Sequence, residues 1–182
     1  MIYTPAEDSY LLARFIPLYA KSKSFLDMGA GSGIQAETAL KAGASSVLVV
    51  DIDPKVIAHF IKKHMPAMHS DLFSKINKNK KFDIIAFNPP YLPRDTREDA
   101  ESAKATTGGR KGDEIITRFL KQAPAHLEKN GIILLVVSSL TPQNKIIKII
   151  EKLNLSRKII DKDNIFMETL EVWKISRKSK SP

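Results

Sequence analysis

The segment that most restricts the fold is a short apolar run over residues 24–28 that halts at Gly29-Ala30-Gly31-Ser32-Gly33. Helical spacing follows at once over residues 34–41 and ends at Gly43. Strand, glycine turn and helix, in that order, form the unit with which phosphate- and nucleoside-binding α/β folds begin. The alternation then continues. Val47 to Val50 is an apolar, β-branched run of the kind buried on both faces; it ends at Asp51, and Pro54 opens a helix reaching Lys63. A weak strand signal covers residues 66–69, and a strong one covers residues 82–87 before Asn88-Pro89-Pro90 stops it, since proline cannot continue a central ladder. Helical spacing over residues 112–127, a buried strand over 131–137 and a helix over 142–153 precede two late apolar runs, 157–160 and 168–175, that read as a closing pair of strands. Ahead of everything, residues 6–19 read as a helix with Glu7 and Asp8 in its first turn, where the helix dipole favours acids. Strands alternating with helices predict an α/β, Rossmann-like, doubly wound and mainly parallel sheet with ligands at the carboxyl ends of its strands.

At 182 residues and 43% hydrophobic composition, the chain can bury one sizeable core. The expectation is a single domain over residues 1–175, followed by a basic flexible tail, 176–182, holding Arg177, Lys178 and Lys180 without an acid. No apolar run approaches the length of about eighteen residues that a membrane span needs, and the N-terminus lacks the pattern of a secretory signal, so a cytoplasmic protein without a membrane partner is expected. The chain has no cysteine, and its four histidines show no ligand spacing, so no intrinsic metal is expected. A net charge of +9 favours anionic partners such as RNA or ribosome-associated proteins. Because the basic residues are spread along the chain, a solvated surface explains them better than a nucleic-acid patch, and nucleic acid is expected to interact only indirectly or weakly.

The glycine turn reads G-x-G-x-G, with Ile34 where a dinucleotide fingerprint would place its last glycine, so a nucleoside without phosphates fits better than a pyrophosphate. Asp27 precedes the turn, where a carboxylate can meet a cofactor ammonium. Asp51 ends the second strand, the place from which an acid reaches ribose hydroxyls. Asp71 follows the third strand, where it can accept from an adenine amine, and Leu72 can offer a backbone N–H to the ring. Asn88-Pro89-Pro90-Tyr91 then follows a buried strand at the rim where such a cofactor ends. Two prolines hold the backbone, so that the Asn88 side-chain oxygen and the Pro89 carbonyl can accept both hydrogens of a planar amino group. A nitrogen so held presents its lone pair to a methyl on sulfur, and the acceptors stabilise the charge that grows there. Tyr91 can lie against the flat target group. The polar stretch from Tyr91 to Lys111 exceeds ordinary connections and reads as a loop, mobile over residues 92–111, that orders over substrate.

Together these segments resemble the HemK family of protein-glutamine methyltransferases, in its short archaeal and eukaryotic branch. The matching pieces are Tyr3-Thr4-Pro5-Ala6-Glu7-Asp8-Ser9, Asp27 to Gly33, Asp51-Ile52-Asp53-Pro54, Ser70-Asp71-Leu72, Asn88 to Tyr91, Gly108-Gly109-Arg110-Lys111-Gly112 and Glu168-Thr169-Leu170-Glu171-Val172. The resemblance implies a class I methyltransferase sheet of seven strands with an antiparallel closing strand. It implies methylation, by S-adenosylmethionine, of the side-chain amide of the glutamine in the Gly-Gly-Gln motif of a class-1 peptide-chain release factor, releasing S-adenosylhomocysteine. Ser9, Asp27, Gly29, Gly31, Gly33, Asp51, Asp71, Leu72 and Asn88 would contact the cofactor. Asn88, Pro89, Pro90 and Tyr91 would form the substrate and catalytic segment. Asp27 stands where relatives often carry glutamate, which keeps the charge and shortens its reach. Some relatives of this branch work bound to a small zinc-binding activator protein, in which case the zinc belongs to the partner. Three other readings stay open: a nucleic-acid methyltransferase acting on exocyclic amines, a protein-lysine methyltransferase, and a non-catalytic binding subunit of the same fold.

Overall fold

In the computed structural model, which describes residues 5–93, 106–165 and 168–178, the glycine turn belongs to the strand at the middle of the binding half of the sheet. That strand, β1 (Ser24–Met28), pairs in parallel with β2 (Ser46–Asp51) on one side and with β4 (Phe82–Phe87) on the other. Beyond β2 lies β3 (Ala67–His69), and beyond β4 lies β5 (Leu127–Ser138), both parallel to their neighbours. The last strand in sequence, β7 (Glu168–Arg177), runs antiparallel to β5 and separates it from β6 (Leu155–Ile165), with which it is also antiparallel. The full order is β3-β2-β1-β4-β5-β7-β6, the seven-stranded, mainly parallel sheet with a reversed closing strand that was expected.

Helices cover both faces, and the period-two alternation of the strands divides the core accordingly. On one face Leu26, Met28, Ile85, Phe87, Leu135 and Trp173 pack against α4 (Glu114–Gln122) and α5 (Gln143–Lys152). On the other, Phe25, Ile84, Ala86, Val136 and Val172 pack under α1 (Glu7–Ala13), α2 (Ile34–Lys41) and α3 (Pro54–Lys62). Asp27 is two residues from Phe25, so the pleat sends it to this second face, toward the start of α2.

Several boundaries differ from the sequence reading: the strand expected over residues 131–137 already begins at Leu127, and the one expected over 157–160 spans Leu155–Ile165. The helix expected over residues 6–19 stops at Ala13 and resumes as a 3-10 turn, Ile16–Leu18, because Pro17 has no N–H to give and its ring collides with a continuing α-helical turn. The helix expected over residues 112–127 likewise becomes α4 plus a 3-10 turn, Ala123–His126, around Pro124. The basic tail does not begin at 176: Ser176 pairs with Ile132 and Ser156, and Arg177 pairs with Leu155 while its guanidinium donates to the Pro124 carbonyl at 2.7 Å. The remaining tail from 179, Tyr3 and Thr4 of the N-terminal motif, and residues 94–105 of the loop expected to be mobile lie outside the described residues.

Gly33 caps α2 in the left-handed region, with φ of 81°. A Cβ there would lie 2.2 Å from Cζ of Phe60, a ring with no exposure that belongs to α3. Gly33→Ala therefore meets both backbone strain and a buried ring. We expect a loss of about 2 kcal/mol or more in urea denaturation. Adding Phe60→Leu should return part of it, because only the steric share depends on the ring.

Candidate active site

Strand order reverses direction between β1 and β4, and the chain leaves the carboxyl ends of β1 and β2 on one side and β4 on the other. Open α/β sheets form their binding crevice at such a point. A cleft of about 970 Å³ occupies it, lined by the glycine turn, the ends of β2 and β4, Asp71 and Leu72, and the first turns of α1 and α2.

Asp51 holds the cleft's floor together. Its Oδ2 accepts from Gly31 N at 3.0 Å and its Oδ1 from Asp53 N at 2.8 Å, so one carboxylate ties the end of β2 to the glycine turn and to the entry of α3. Burial raises its pKa; the Asp53 and Gly31 N–H groups work against that, the Asp53 carboxylate adds to it and the Ile52 N–H opposes it. Asp27 is 1% exposed and accepts from Ala36 N, in the first turn of α2, at 2.9 Å. Its pKa stands well above the ordinary 3.8 because burial penalises the anion; the Ala36 N–H offsets part of this, and the Asp51 carboxylate adds repulsion. Gly29 and Gly31 line the cleft. Gly33 is not among the residues that line it, and a side chain there would meet the ring of Phe60. Asp71 sits at the far end, where Arg118 of α4 donates to its Oδ2 at 2.6 Å. Both side chains are about half exposed, so the pair stabilises by no more than about 1 kcal/mol. Leu72 adopts a left-handed conformation, φ of 48°, that buries its side chain in the core beneath the cleft.

At the near end the segment after β4 is held from three directions. Asn88 Nδ2 donates to Ser9 Oγ at 3.3 Å, and Ser9 Oγ donates to Asp8 Oδ1 at 3.2 Å, so α1 sets the orientation of the Asn88 amide. Tyr91 Oη donates to Asp8 Oδ2 at 3.5 Å, and Thr141 Oγ1 donates to the Tyr91 carbonyl at 3.2 Å. The glycine-rich loop ahead of α4 lies directly on the backbone. A Cβ on Gly108 would come within 2.6 Å of the Pro90 carbonyl oxygen, and one on Gly112 within 2.3 Å of that of Tyr91. Leu92 N donates to Thr106 O and Gly108 N to Leu92 O, both at 2.9 Å, which stitches this loop to the exit of the Asn-Pro-Pro-Tyr segment. Pro89 is buried, and all four residues of the segment line the cleft. The Asn88 Oδ1 is buried and has no hydrogen-bond partner among the described residues.

The structure thus brings Ser9, Asp27, Gly29, Gly31, Asp51, Asp71, Leu72 and Asn88 to Tyr91 around one cleft. It adds Asp8, Gln35 and Arg118, which sequence reasoning did not single out. Asp8 read as a dipole partner of α1, and Gln35 and Arg118 as ordinary helix positions, because only the packing of each helix on the sheet places them at the cleft. Among the described residues no group of three or more His, Asp or Glu is arranged to hold a metal ion, and no helix is long and apolar enough to cross a membrane.

Comparison with known proteins agrees with this geometry. Residues 7–167 match the family described as methyltransferase small domain. A chain of Methanocaldococcus jannaschii named for protein N5-glutamine methyltransferase activity is 34% identical over 96% of this chain and 92% of its own length. Human methyltransferase HEMK2 is 28% identical over 97% of this chain and 90% of its own. Among solved structures, Mtq2 of E. cuniculi, in complex with Trm112 and described as methylating the eRF1 translation termination factor, superposes with a TM-score of 0.76. It shares 24% identity, and the match covers 97% of this chain and 98% of that one.

The buried Asp27 has a consequence for stability. Its folded pKa lies above its unfolded value, so the folded state holds the proton more tightly, and stability falls as pH rises from about 3.8 through the folded value. Asp27→Asn keeps an acceptor for Ala36 N and removes the charge. We expect the ligand-free variant to be more stable than the parent at neutral pH, with the difference vanishing below pH 3.8. Urea denaturation across that range checks it; a variant less stable than the parent at neutral pH contradicts it.

Proposed function

Because this chain belongs to the methyltransferase small domain family, we propose that it transfers a methyl group from S-adenosylmethionine to the side-chain amide of a glutamine, in the Gly-Gly-Gln motif of a class-1 release factor. The relatives named for glutamine methylation support the target, and the unpartnered Asn88 Oδ1 carries the reading. A buried acceptor left unsatisfied costs about 1–3 kcal/mol, and a catalytic role at the rim of a cleft is one of the physical reasons to keep such a group.

The cleft fits the cofactor. Asp51 offers lone pairs to ribose hydroxyls without releasing Gly31 and Asp53. Asp71 and Leu72 flank the adenine, and Ser9, Gly29 and Gly31 line the remainder. An acid-rich site suits a molecule that carries an ammonium and a sulfonium, and the raised pKa of Asp27 falls when a cation settles beside it. When bound, S-adenosylmethionine supplies an electrophilic methyl on sulfur. The chain's own residues bind and orient the target. Asn88 Oδ1, aimed by the Ser9 hydroxyl, and the Pro89 carbonyl accept the two amide hydrogens; Tyr91 covers the flat face. Those acceptors stabilise the positive charge that develops on the nitrogen, so no strong base is required before attack. We take a small zinc-binding activator protein as the partner, in keeping with the occurrence of Mtq2 in a complex with Trm112, and the cytoplasm as the location of a reaction on a release factor.

Asn88→Ala should lower single-turnover methylation of the release factor on the order of a hundredfold while cofactor affinity stays within a few fold. Asn88→Asp keeps an acceptor and should retain partial activity. Unchanged turnover in Asn88→Ala, or methyl label on total RNA rather than on the release factor, would overturn the assignment. Asp51→Ala should weaken cofactor binding about tenfold or more by calorimetry, since it removes the ribose acceptor and the tether of Gly31 together.

A further inference from the structure

A second buried amide oxygen in the cleft also lacks a partner among the described residues: Gln35 Oε1. Gln35 stands in the first turn of α2, is 3% exposed, and lines the cleft. Its neighbours along the buried face of α2 are Ala36 and Ala39, so packing alone would be served by an apolar side chain. The amide is not free to turn. Nε2 donates one of its two hydrogens to the Ser9 carbonyl at 2.9 Å, which fixes which way the amide faces and leaves the oxygen as an acceptor awaiting a donor.

We propose that Gln35 is a cofactor-binding residue whose Oε1 accepts a hydrogen bond from the ammonium of the cofactor's amino-acid end. The inference rests on the reading of the cleft as an S-adenosylmethionine site. Asp51 and Asp71 take the ribose and adenine ends, so the amino-acid end falls toward α1 and the start of α2, where Gln35 and Asp27 lie. Asp27 accepts from the N–H of Ala36, the residue after Gln35, so a carboxylate and an amide oxygen flank the same helical turn. Two acceptors there, the Asp27 carboxylate and Gln35 Oε1, favour the ammonium over the carboxylate of an amino acid, the Nε2 side of the amide being turned toward Ser9. Ser9 also holds Asn88 through its hydroxyl, so one residue aims both unpartnered oxygens, one at the cofactor ammonium and one at the target nitrogen.

Calorimetry with two nucleosides tests this: S-adenosylhomocysteine, which has the amino-acid end, and 5′-methylthioadenosine, which does not. Gln35→Leu and the unbranched Gln35→Met should each weaken S-adenosylhomocysteine about tenfold or more and change methylthioadenosine by less than about twofold, the unaltered nucleoside binding showing that the fold is intact. Gln35→Glu, which when protonated donates to the Ser9 carbonyl and presents the same oxygen, should restore the preference for S-adenosylhomocysteine. Equal weakening of both nucleosides, or no change in either, overturns the role of Gln35. Failure of the unmodified chain to bind either nucleoside overturns instead the reading of the cleft.

Discussion

Two backbone N–H groups from separate loops converge on the carboxylate of Asp51, and the geometry of the cleft follows from that convergence. Gly31 belongs to the turn after β1 and Asp53 to the entry of α3; without a common acceptor each N–H would need a water of its own in the cleft. The arrangement sets a second carboxylate, Asp27, close enough to feel Asp51, in a burial that disfavours its charge. The ligand-free protein therefore keeps an acid-rich cleft in a state that a cation relieves. Local instability at a binding site of this kind is a design in which the ligand completes the electrostatics.

The Asn-Pro-Pro-Tyr segment shows the complementary strategy. Its prolines limit the backbone, yet they do not orient the Asn88 side chain or the Tyr91 ring. That task falls to α1 through Asp8 and Ser9, to Thr141, and to Gly108 and Gly112, whose lack of side chains lets a loop lie on the carbonyls of Pro90 and Tyr91. Elements from both faces of the sheet thus meet on four residues, which favours geometry held to within a fraction of an ångström over adjustment on binding.

Much of this was legible beforehand, for identifiable reasons. β1, β2 and β4 are continuous apolar runs closed by glycine, an acid and a proline pair, so their ends, and the acids standing there, could be placed from local signals alone. The outer half of β6 could not: Asp161, Lys162, Asp163 and Asn164 look like a turn, and they form strand only because β7 offers a full row of partners. Gly33 reads as part of a ligand-binding turn, and the ring of Phe60, on another helix, is what a side chain there would meet. Asp8, Gln35 and Arg118 are residues of ordinary helical sequence whose relevance depends on where each helix crosses the sheet. What escaped the sequence was, in each case, a contact between segments distant along the chain.

The placement of β7 also bears on how the molecule assembles. Among the described residues β6 has no neighbour other than β7, and β7 follows it in the chain, so during synthesis β6 emerges before the strand with which it pairs. Until β7 arrives, the free edge of β5, whose buried residues run from Ile133 to Ser138, stays open to any other extended chain. The arrival of one segment closes both vulnerabilities at once. Nascent chains stalled before β7 are thus the species most exposed to edge-to-edge aggregation, and the ones for which a chaperone covering a single strand edge would matter most.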